Sequence, residues 1–336
     1  MCIAAFVTAA GSVVHADEPV PAPPSSSAPP SSSAPPSSST PPSSSAPPLS
    51  SAPPSSSAPS LPSASSPSSA GCSRPAPAKG ETTVSFRGSQ KSGKYTQNVP
   101  ANTANQPLPV VIALHGFLEN RAISDLGSGL GDYGYQKGFV TITPQLDRLG
   151  LSQWDVGQGS ADMTWVSEVL THVESTLCVD QRRVYVTGLS MGAFATSSIG
   201  CQFADRVAAI APVAGLRDFD WCHPSRPIPV IAFHGTSDPI VSYTNPPVTD
   251  IAAAWARRDG CTGGPTRTTI ASDVVLDKYS CPTGVDVQLY SIIGGGHIWP
   301  GSTSPLYPEF IVGKNTKSIR ATTLIWDFFA AHPMST

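Results

Sequence analysis

The sequence predicts an α/β domain in which helices cover both faces of a mostly parallel central sheet. Short, nearly continuous apolar runs without strict alternation indicate strands that are buried on both faces. Six such runs occur, at residues 109–115, 139–143, 183–187, 207–214, 228–234 and 285–293. Helix-length segments lie between them, and this alternation is typical of a parallel sheet. We therefore expect functional residues at the carboxyl ends of the strands.

Two helices are predicted by the spacing of their apolar residues. In 161–177, the apolar residues Met163, Val166, Val169/Leu170 and Val173 recur at intervals of three to four residues, and 316–331 closes the chain in the same way. A further helix is expected around Asp250. We expect no large lid over the sheet.

The first 71 residues differ in composition from the rest of the chain. They hold 17 of the 36 prolines and 24 serines, and their charged residues are Asp17 and Glu18. A segment with so few aromatic and branched apolar side chains cannot offset the entropy cost of folding. Repeats close to SSSAPP over 25–59 favour an extended, polyproline-biased linker. We predict a linker over 17–71, whose role stays open, and a folded domain over 72–336.

A short apolar run at the start of the chain predicts a secretory signal peptide over 1–16. Residues 3–10 are apolar, and Val14-His15-Ala16 has the small-residue pattern of a cleavage site. The basic residues that usually open such a signal are missing, so we expect the start to be truncated. The alternative is an ordinary apolar terminus without a role in export. Because the run is too short to span a bilayer, no transmembrane anchor is expected.

The charge balance of the remaining domain excludes two classes of main partner. Without Asp17 and Glu18, the chain after residue 71 has 20 Lys and Arg against 21 Asp and Glu. Nucleic acid and anionic membranes are bound by a basic face, which a nearly neutral domain lacks. We expect a monomer that meets a small or polymer-linked substrate and uses no cofactor.

The cysteine count predicts disulfide bonds. Seven cysteines become six once Cys2 leaves with the signal peptide, and an even number in an exported protein favours disulfides. Six cysteines allow fifteen pairings, and buried free thiols are the alternative. The spacing favours three pairs, Cys261 with Cys281, Cys201 with Cys222, and Cys72 with Cys178. The chain has neither a C-x-x-C motif nor a His/Cys cluster, so no metal site is expected.

The motif Gly-x-Ser-x-Gly at 188–192 predicts a nucleophilic serine. It follows the strand run 183–187 and precedes a helix-compatible segment, which is the context that this motif requires. The two glycines allow a strained turn that holds the Ser190 hydroxyl above the sheet, at the positive end of the following helix. The motif alone occurs by chance in roughly one chain in ten of this length. The prediction therefore depends on the strand before the motif and the helix after it.

A serine hydroxyl needs a base, and the base needs an orienting carboxylate. In this architecture the acid and then the histidine follow the serine along the chain. His297 follows the last predicted strand on a run of glycines, whereas His332 lies four residues from the C-terminus, where fraying prevents accurate placement. Asp238 lies in the loop after 228–234, where a triad acid is expected; a turn aspartate that caps its own loop is the alternative. We predict the triad Ser190, His297 and Asp238.

A tetrahedral intermediate also needs hydrogen-bond donors for its oxyanion. The Met191 N–H follows the nucleophile, and the Phe117 N–H lies in the loop after the strand run 109–115. We predict these two amides as the oxyanion hole. His115 and His234, which precede the Phe117 and Asp238 loops, are expected to be structural.

Two tryptophans are predicted to contact substrate. Trp299 lies two residues past His297, and Trp154 lies in a long loop rich in Gly and Ser. Packing in the core is the alternative for each of them.

With these residues, the sequence resembles the poly(3-hydroxybutyrate) depolymerase-like esterases, a branch of the α/β-hydrolases that includes feruloyl and acetylxylan esterases. The matching stretches are LHGF (114–117), RVYVTGLSMGA (183–193), ADRVAAIAPVAG (204–215), PVIAFHGTSDPIV (229–241) and GGGHIWPG (294–301). They run in order through 72–336. The resemblance implies an α/β-hydrolase fold and puts the family's triad on Ser190, Asp238 and His297.

These observations favour a secreted, extracellular serine esterase that works through an acyl-Ser190 intermediate. Feruloyl, acetyl and 3-hydroxyacyl esters all stay open as substrates. The alternative on the same fold is an acyltransferase that acts on cell-envelope sugars. A catalytically silent binding domain is disfavoured because all three triad positions are filled.

Overall fold

A computed structural model describes residues 67–101, 106–148 and 152–335. The predicted signal peptide at 1–16, and the predicted linker up to residue 66, lie outside the described residues. The described residues therefore belong mainly to the domain that the sequence predicts after the linker.

Ten strands form one sheet. In chain order they are β1 Gly80–Arg87, β2 Ser92–Val99, β3 Leu108–Leu114, β4 Val140–Leu146, β5 Val179–Leu189, β6 Ala209–Val213, β7 Val230–Gly235, β8 Thr262–Ala271, β9 Val274–Ser280 and β10 Val287–Ile292. Their order in the sheet is β1-β2-β4-β3-β5-β6-β7-β10-β9-β8. The central strands from β4 to β10 pair in parallel, and the two outer pairs on each side are antiparallel. The predicted mostly parallel central sheet is confirmed.

Helices cover both faces of this sheet. They are α1 Arg121–Ser128, α2 Leu130–Lys137, α3 Ala161–Thr176, α4 Met191–Gln202, α5 Val248–Arg258, α6 Glu309–Val312 and α7 Ala321–Ala331. One buried layer joins α3, α4 and α5, including Trp255, to strand residues such as Ile112. The other joins α2 and α7, including Phe329, to residues such as Val111. Adjacent β3 residues thus point to opposite layers, as strand geometry requires.

The contacts of the domain begin before Cys72, the residue at which the sequence predicts its start. The Ser69 N–H donates to Val179 O at 3.0 Å, and the Ser69 hydroxyl accepts from the Val179 N–H at 2.9 Å. The Gln181 N–H donates to Pro67 O at 3.1 Å. Backbone groups at the amino end of β5 need partners, and the residues just before Cys72 supply them.

Three disulfide bonds join the cysteines in the pairs that the spacing favours, Cys72–Cys178, Cys201–Cys222 and Cys261–Cys281. The last of these bounds the hairpin of β8 and β9, which the sequence presents only as a Gly- and Thr-rich insertion. The first ties the start of the domain to the residue before β5.

Candidate active site

The turn that carries the predicted nucleophile lies between the end of β5 and the start of α4. Ser190 has φ 59° and ψ −119°, a left-handed φ that residues other than glycine rarely adopt. A Cβ on Gly188 would lie 2.6 Å from the backbone of Gly192, and a Cβ on Gly192 would collide with the Leu114 carbonyl on β3. Both glycines of the motif are therefore required for the turn that holds Ser190 at the carboxyl end of β5.

The predicted base and acid are in direct contact. His297 follows β10 and Asp238 follows β7, and these two strands are parallel neighbours. His297 Nδ1 lies 2.7 Å from Asp238 Oδ2. Since the carboxyl ends of parallel strands meet at one end of the sheet, Ser190 lies at this same end.

Close backbone packing brings the two loops together. A Cβ on Gly235 would collide with the Gly295 carbonyl, and a Cβ on Gly296 would collide with the carbonyl of Val312. The Ser237 N–H donates to Gly295 O at 2.9 Å. The glycine run before His297 is thus explained by the approach of its backbone to the Asp238 loop and to the segment around Val312.

Asp238 is held as a carboxylate. Its side chain is fully buried, and its Oδ1 accepts from the N–H groups of Ile240 and Val241, each at 2.8 Å. Burial by itself raises the pKa of Asp238, but hydrogen bonds from His234, His297 and Val241 hold it well below its usual range. Such a carboxylate can fix the tautomer of His297 and stabilise its imidazolium.

His234 is a second histidine on the same acid. Its Nε2 lies 2.9 Å from Val241 O and 3.3 Å from Asp238 Oδ2. The sequence predicts only a structural role for His234, whereas the structure adds a contact with the predicted catalytic acid. The separation of four residues, across a turn that follows a strand, is the signal that could have indicated this contact.

The predicted oxyanion turn offers one free amide. The Gly116 N–H donates to Glu119 Oε2 at 2.7 Å, the Leu118 N–H to Ser152 O at 2.9 Å and the Glu119 N–H to Gly116 O at 3.2 Å. Of the four amides in this turn, the Phe117 N–H is the one for which the described residues supply no acceptor. The Met191 N–H lies at the start of α4, where helix amides lack intrahelical partners.

Trp154 packs in the core, which is the alternative that the sequence leaves open for it. Its side chain is 4% exposed, its indole N–H donates to His115 O at 3.0 Å, and its ring lies 4.7 Å from the ring of His115. The Trp154 backbone N–H also faces Met191 Sδ at 3.3 Å. Trp154 therefore packs against His115 and Met191, the latter being the residue after Ser190. His115 is buried in this contact, as the expected structural role requires.

Trp299 likewise packs in the core, the alternative stated for it. It is 3% exposed, packs in the layer of α7, and donates its indole N–H to Thr322 Oγ1 at 3.0 Å. Its proximity to His297 in sequence does not bring it to the surface, because the chain turns inward toward α7 after the histidine. Trp299 is a core residue.

Neither a metal cluster nor a membrane span is found in the part of the chain that the structure describes. Within those residues, no three His, Cys, Asp or Glu side chains are grouped to hold a metal ion. Nor does any helix there have the length and apolar character to cross a bilayer.

Known proteins similar to this chain are esterases and a depolymerase. Feruloyl esterase B of Piromyces equi is 30% identical over 217 residues, 58% of this chain and 40% of that protein. Feruloyl esterase D of Neurospora crassa is 26% identical over 277 residues, 78% of this chain and 90% of that protein. Poly(3-hydroxyalkanoate) depolymerase C of Paucimonas lemoignei is 31% identical over 125 residues, 35% of this chain and 29% of that protein. The chain thus spans less than half the length of the Piromyces and Paucimonas proteins.

Among solved structures, an acetyl xylan esterase from Aspergillus awamori has a TM-score of 0.57 with 15% identity. The superposition covers 74% of this chain and 99% of that one. The fold is that of an α/β-hydrolase. The relatives confirm the resemblance to the feruloyl esterase and poly(3-hydroxybutyrate) depolymerase-like family, and they agree with the predicted class of carboxylic ester hydrolase. No protein-family model matches the chain.

Proposed function

We propose that the chain is a secreted serine esterase whose triad is Ser190, His297 and Asp238. The observation that supports this most directly is the 2.7 Å contact between His297 Nδ1 and Asp238 Oδ2. It occurs at the same end of the sheet as the strained Ser190 turn, and the three residues follow the chain order of this fold.

The proposed reaction has two halves. Ser190 Oγ attacks the ester carbonyl while its proton passes to His297 Nε2, and the Phe117 and Met191 amides donate to the oxyanion. The bond to the alcohol then breaks, and the alcohol leaves with the proton from His297. Water attacks the acyl-Ser190, gives its proton to His297, and the acid leaves as the Ser190 hydroxyl is restored.

For the substrate we propose esters of feruloyl, acetyl or 3-hydroxyacyl type. The names of the relatives, feruloyl esterase and poly(3-hydroxyalkanoate) depolymerase, support these classes. Trp154 and Trp299, for which the sequence predicts substrate contacts, expose little of their surface. Assays on feruloyl, acetyl and hydroxybutyrate esters, run side by side, would identify the preferred acyl group.

Export and the domain layout belong to the same proposal. Three disulfides are typical of proteins from oxidising compartments, which supports a secreted enzyme. We propose a signal peptide at 1–16, a linker at 17–71 and the catalytic domain at 72–336, with the contacts of residues 67–71 added to that domain.

Substitution of the nucleophile tests the proposal. We expect Ser190→Ala to lower kcat for p-nitrophenyl acetate by about 10⁴-fold or more and to abolish labelling by a fluorophosphonate probe. Ser198→Ala, a change of the same kind eight residues further along α4, serves as the control and should keep both. An active, labelled Ser190→Ala variant would contradict the proposal. Transfer of the acyl group to an added sugar, in place of release of the free acid, would favour the acyltransferase alternative.

A further inference from the structure

Glu119 closes the turn that presents the Phe117 amide. Its Oε2 accepts from the Gly116 N–H at 2.7 Å, and its own N–H donates to Gly116 O at 3.2 Å. Both its side chain and its backbone therefore join Glu119 to Gly116. Between them, Leu118 takes a φ of 63°, so this short turn depends on tertiary contacts for its shape.

The other carboxylate oxygen ties this turn to a distant part of the chain. Glu119 Oε1 accepts from the Tyr307 hydroxyl at 2.7 Å, across 188 residues of sequence. Tyr307 is itself fixed against α1, because a Cβ on Gly127 would collide with its phenol end. Five residues beyond Tyr307, the carbonyl of Val312 accepts from the His297 N–H. Glu119 thus connects the Phe117 turn to the segment that holds His297.

The charge environment agrees with this geometry. Burial raises the pKa of Glu119, while the hydrogen bonds from Tyr307 and Gly116 and the charge of His297 oppose that rise. The carboxylate is therefore within electrostatic reach of the proposed base.

We infer that Glu119 is a positioning residue for the reaction proposed above, holding the Phe117 amide where the oxyanion forms. It acts through the backbone, because its two oxygens are engaged by Gly116 and Tyr307. Without the carboxylate, the Gly116 amide loses its acceptor and the turn loses its tie to Tyr307. The Phe117 N–H then has no fixed direction. The inference rests on the proposed function.

Three variants test this role against p-nitrophenyl acetate, with kcat and KM measured separately. Glu119→Ala removes both hydrogen bonds, and we expect kcat to fall about 30- to 100-fold. This is less than the loss of a complete oxyanion donor. We expect KM to stay within about threefold, because an oxyanion donor acts in the transition state. Glu119→Gln keeps an oxygen for Gly116 and a polar group for Tyr307, so kcat should return to within about fivefold of the wild type. Tyr307→Phe removes one bond and should lower kcat by about three- to tenfold.

A matched control is available at the opposite end of the sheet. Asp259 is a buried carboxylate that accepts the Ile228 N–H at 3.0 Å, before the start of β7. Asp259→Ala therefore deprives a backbone amide of its acceptor in the same way, and it should leave kcat unchanged.

Several outcomes would overturn the inference. These are an unchanged kcat in Glu119→Ala, an equal loss in Glu119→Gln, or a similar loss in Asp259→Ala. Should Glu119→Ala fail to fold, an unchanged kcat in Tyr307→Phe would overturn it as well. Ser190→Ala separates the two proposals. If that variant keeps turnover, the proposed function itself is wrong. If it is inactive while Glu119→Ala is fully active, only the positioning role is wrong.

Discussion

Two buried aspartates show how the surroundings of one residue type decide its chemistry. Asp238 receives hydrogen bonds from His297, Ile240 and Val241, and its pKa lies well below the usual range. Asp259 receives one, from Ile228, and its Oδ2 has no hydrogen-bond partner among the described residues. Burial raises the pKa of Asp259 to about 7, against the opposing effects of Ile228, Arg258 and Arg226. Only Asp238 is suited to serve as a permanent charge.

The raised pKa of Asp259 predicts a pH-dependent stability. An unfolded aspartate titrates near pH 4 and Asp259 near pH 7, so the folded state binds its proton more tightly. This contribution to the free energy of unfolding is fully present below about pH 4 and is lost as the pH rises through 7. It amounts to on the order of 4 kcal/mol. In Asp259→Asn we expect this loss to disappear.

Denaturant unfolding of the wild type and Asp259→Asn at pH 4, 5, 6, 7 and 8 measures the effect. The gap between the two unfolding free energies should change across the pH series and level off at pH 8. Asp205→Asn, a change on the exposed Asp205, controls for the removal of one negative charge and should follow the wild type. Parallel curves for Asp259→Asn and the wild type would rule out the raised pKa.

At the residue scale, the contact between the loops of His297 and Asp238 was predictable, whereas other contacts between distant loops were not. The predicted positions of His297 and Asp238 follow from strand ends and chain order. For Trp154 and Trp299 the sequence left both a substrate contact and core packing open, because burial depends on partners such as Thr322 that lie elsewhere in the chain. Nothing in the sequence indicated the hydrogen bond of Glu119 with Tyr307, since the two residues are 188 positions apart.

Among the elements, the turn from β5 into α4 has little room for change. A Cβ on Gly192 would collide with the backbone of β3, and a backbone atom cannot rotate away as a side chain can. We therefore expect Gly192→Ala to lower the free energy of unfolding by about 3 kcal/mol and to reduce kcat, because α4 and the Met191 amide must shift.

Gly264→Ala is the control for this prediction. Gly264 lies in β8 with an ordinary φ and no atom within 4 Å of its would-be Cβ. Its substitution should leave both stability and kcat near the wild type. If chemical denaturation gave equal stabilities for the two variants, the close approach of α4 to β3 would not be the reason for the glycine.

The strands that were predicted from the sequence are those buried on both faces. All six apolar runs coincide with strands, β3 to β7 and β10, because continuous burial leaves a plain hydrophobic signal. The outer strands β1, β2, β8 and β9 were not predicted. β8 is exposed along nearly its whole length and contains Gly and Pro, so its pairing with β9, and not its own composition, makes it a strand.

For the whole molecule, the disulfide between Cys72 and Cys178 closes by far the largest loop. The two cysteines are 106 residues apart, against 20 for Cys261 and Cys281. By loop-closure entropy, replacing both Cys72 and Cys178 by Ala should cost about 4 to 5 kcal/mol of unfolding free energy, and the pair at 261 and 281 about 3 kcal/mol. Urea denaturation would measure both. A smaller loss for Cys72/Cys178 than for Cys261/Cys281 would contradict the entropic account, while kcat should change in neither variant.

The hydrogen bonds of Pro67 and Ser69 with the first residues of β5 have a practical consequence for handling the protein. Ser190 follows the last residue of that strand. The length of β5, about 35 Å at 3.3 Å per residue, therefore separates Pro67 and Ser69 from Ser190. A chain that starts at Pro67 and is coupled to a bead through its first residue would present the end of the sheet that carries Ser190 to the medium. Immobilised in this way, the enzyme should keep access to large or insoluble esters that coupling near α6 would block.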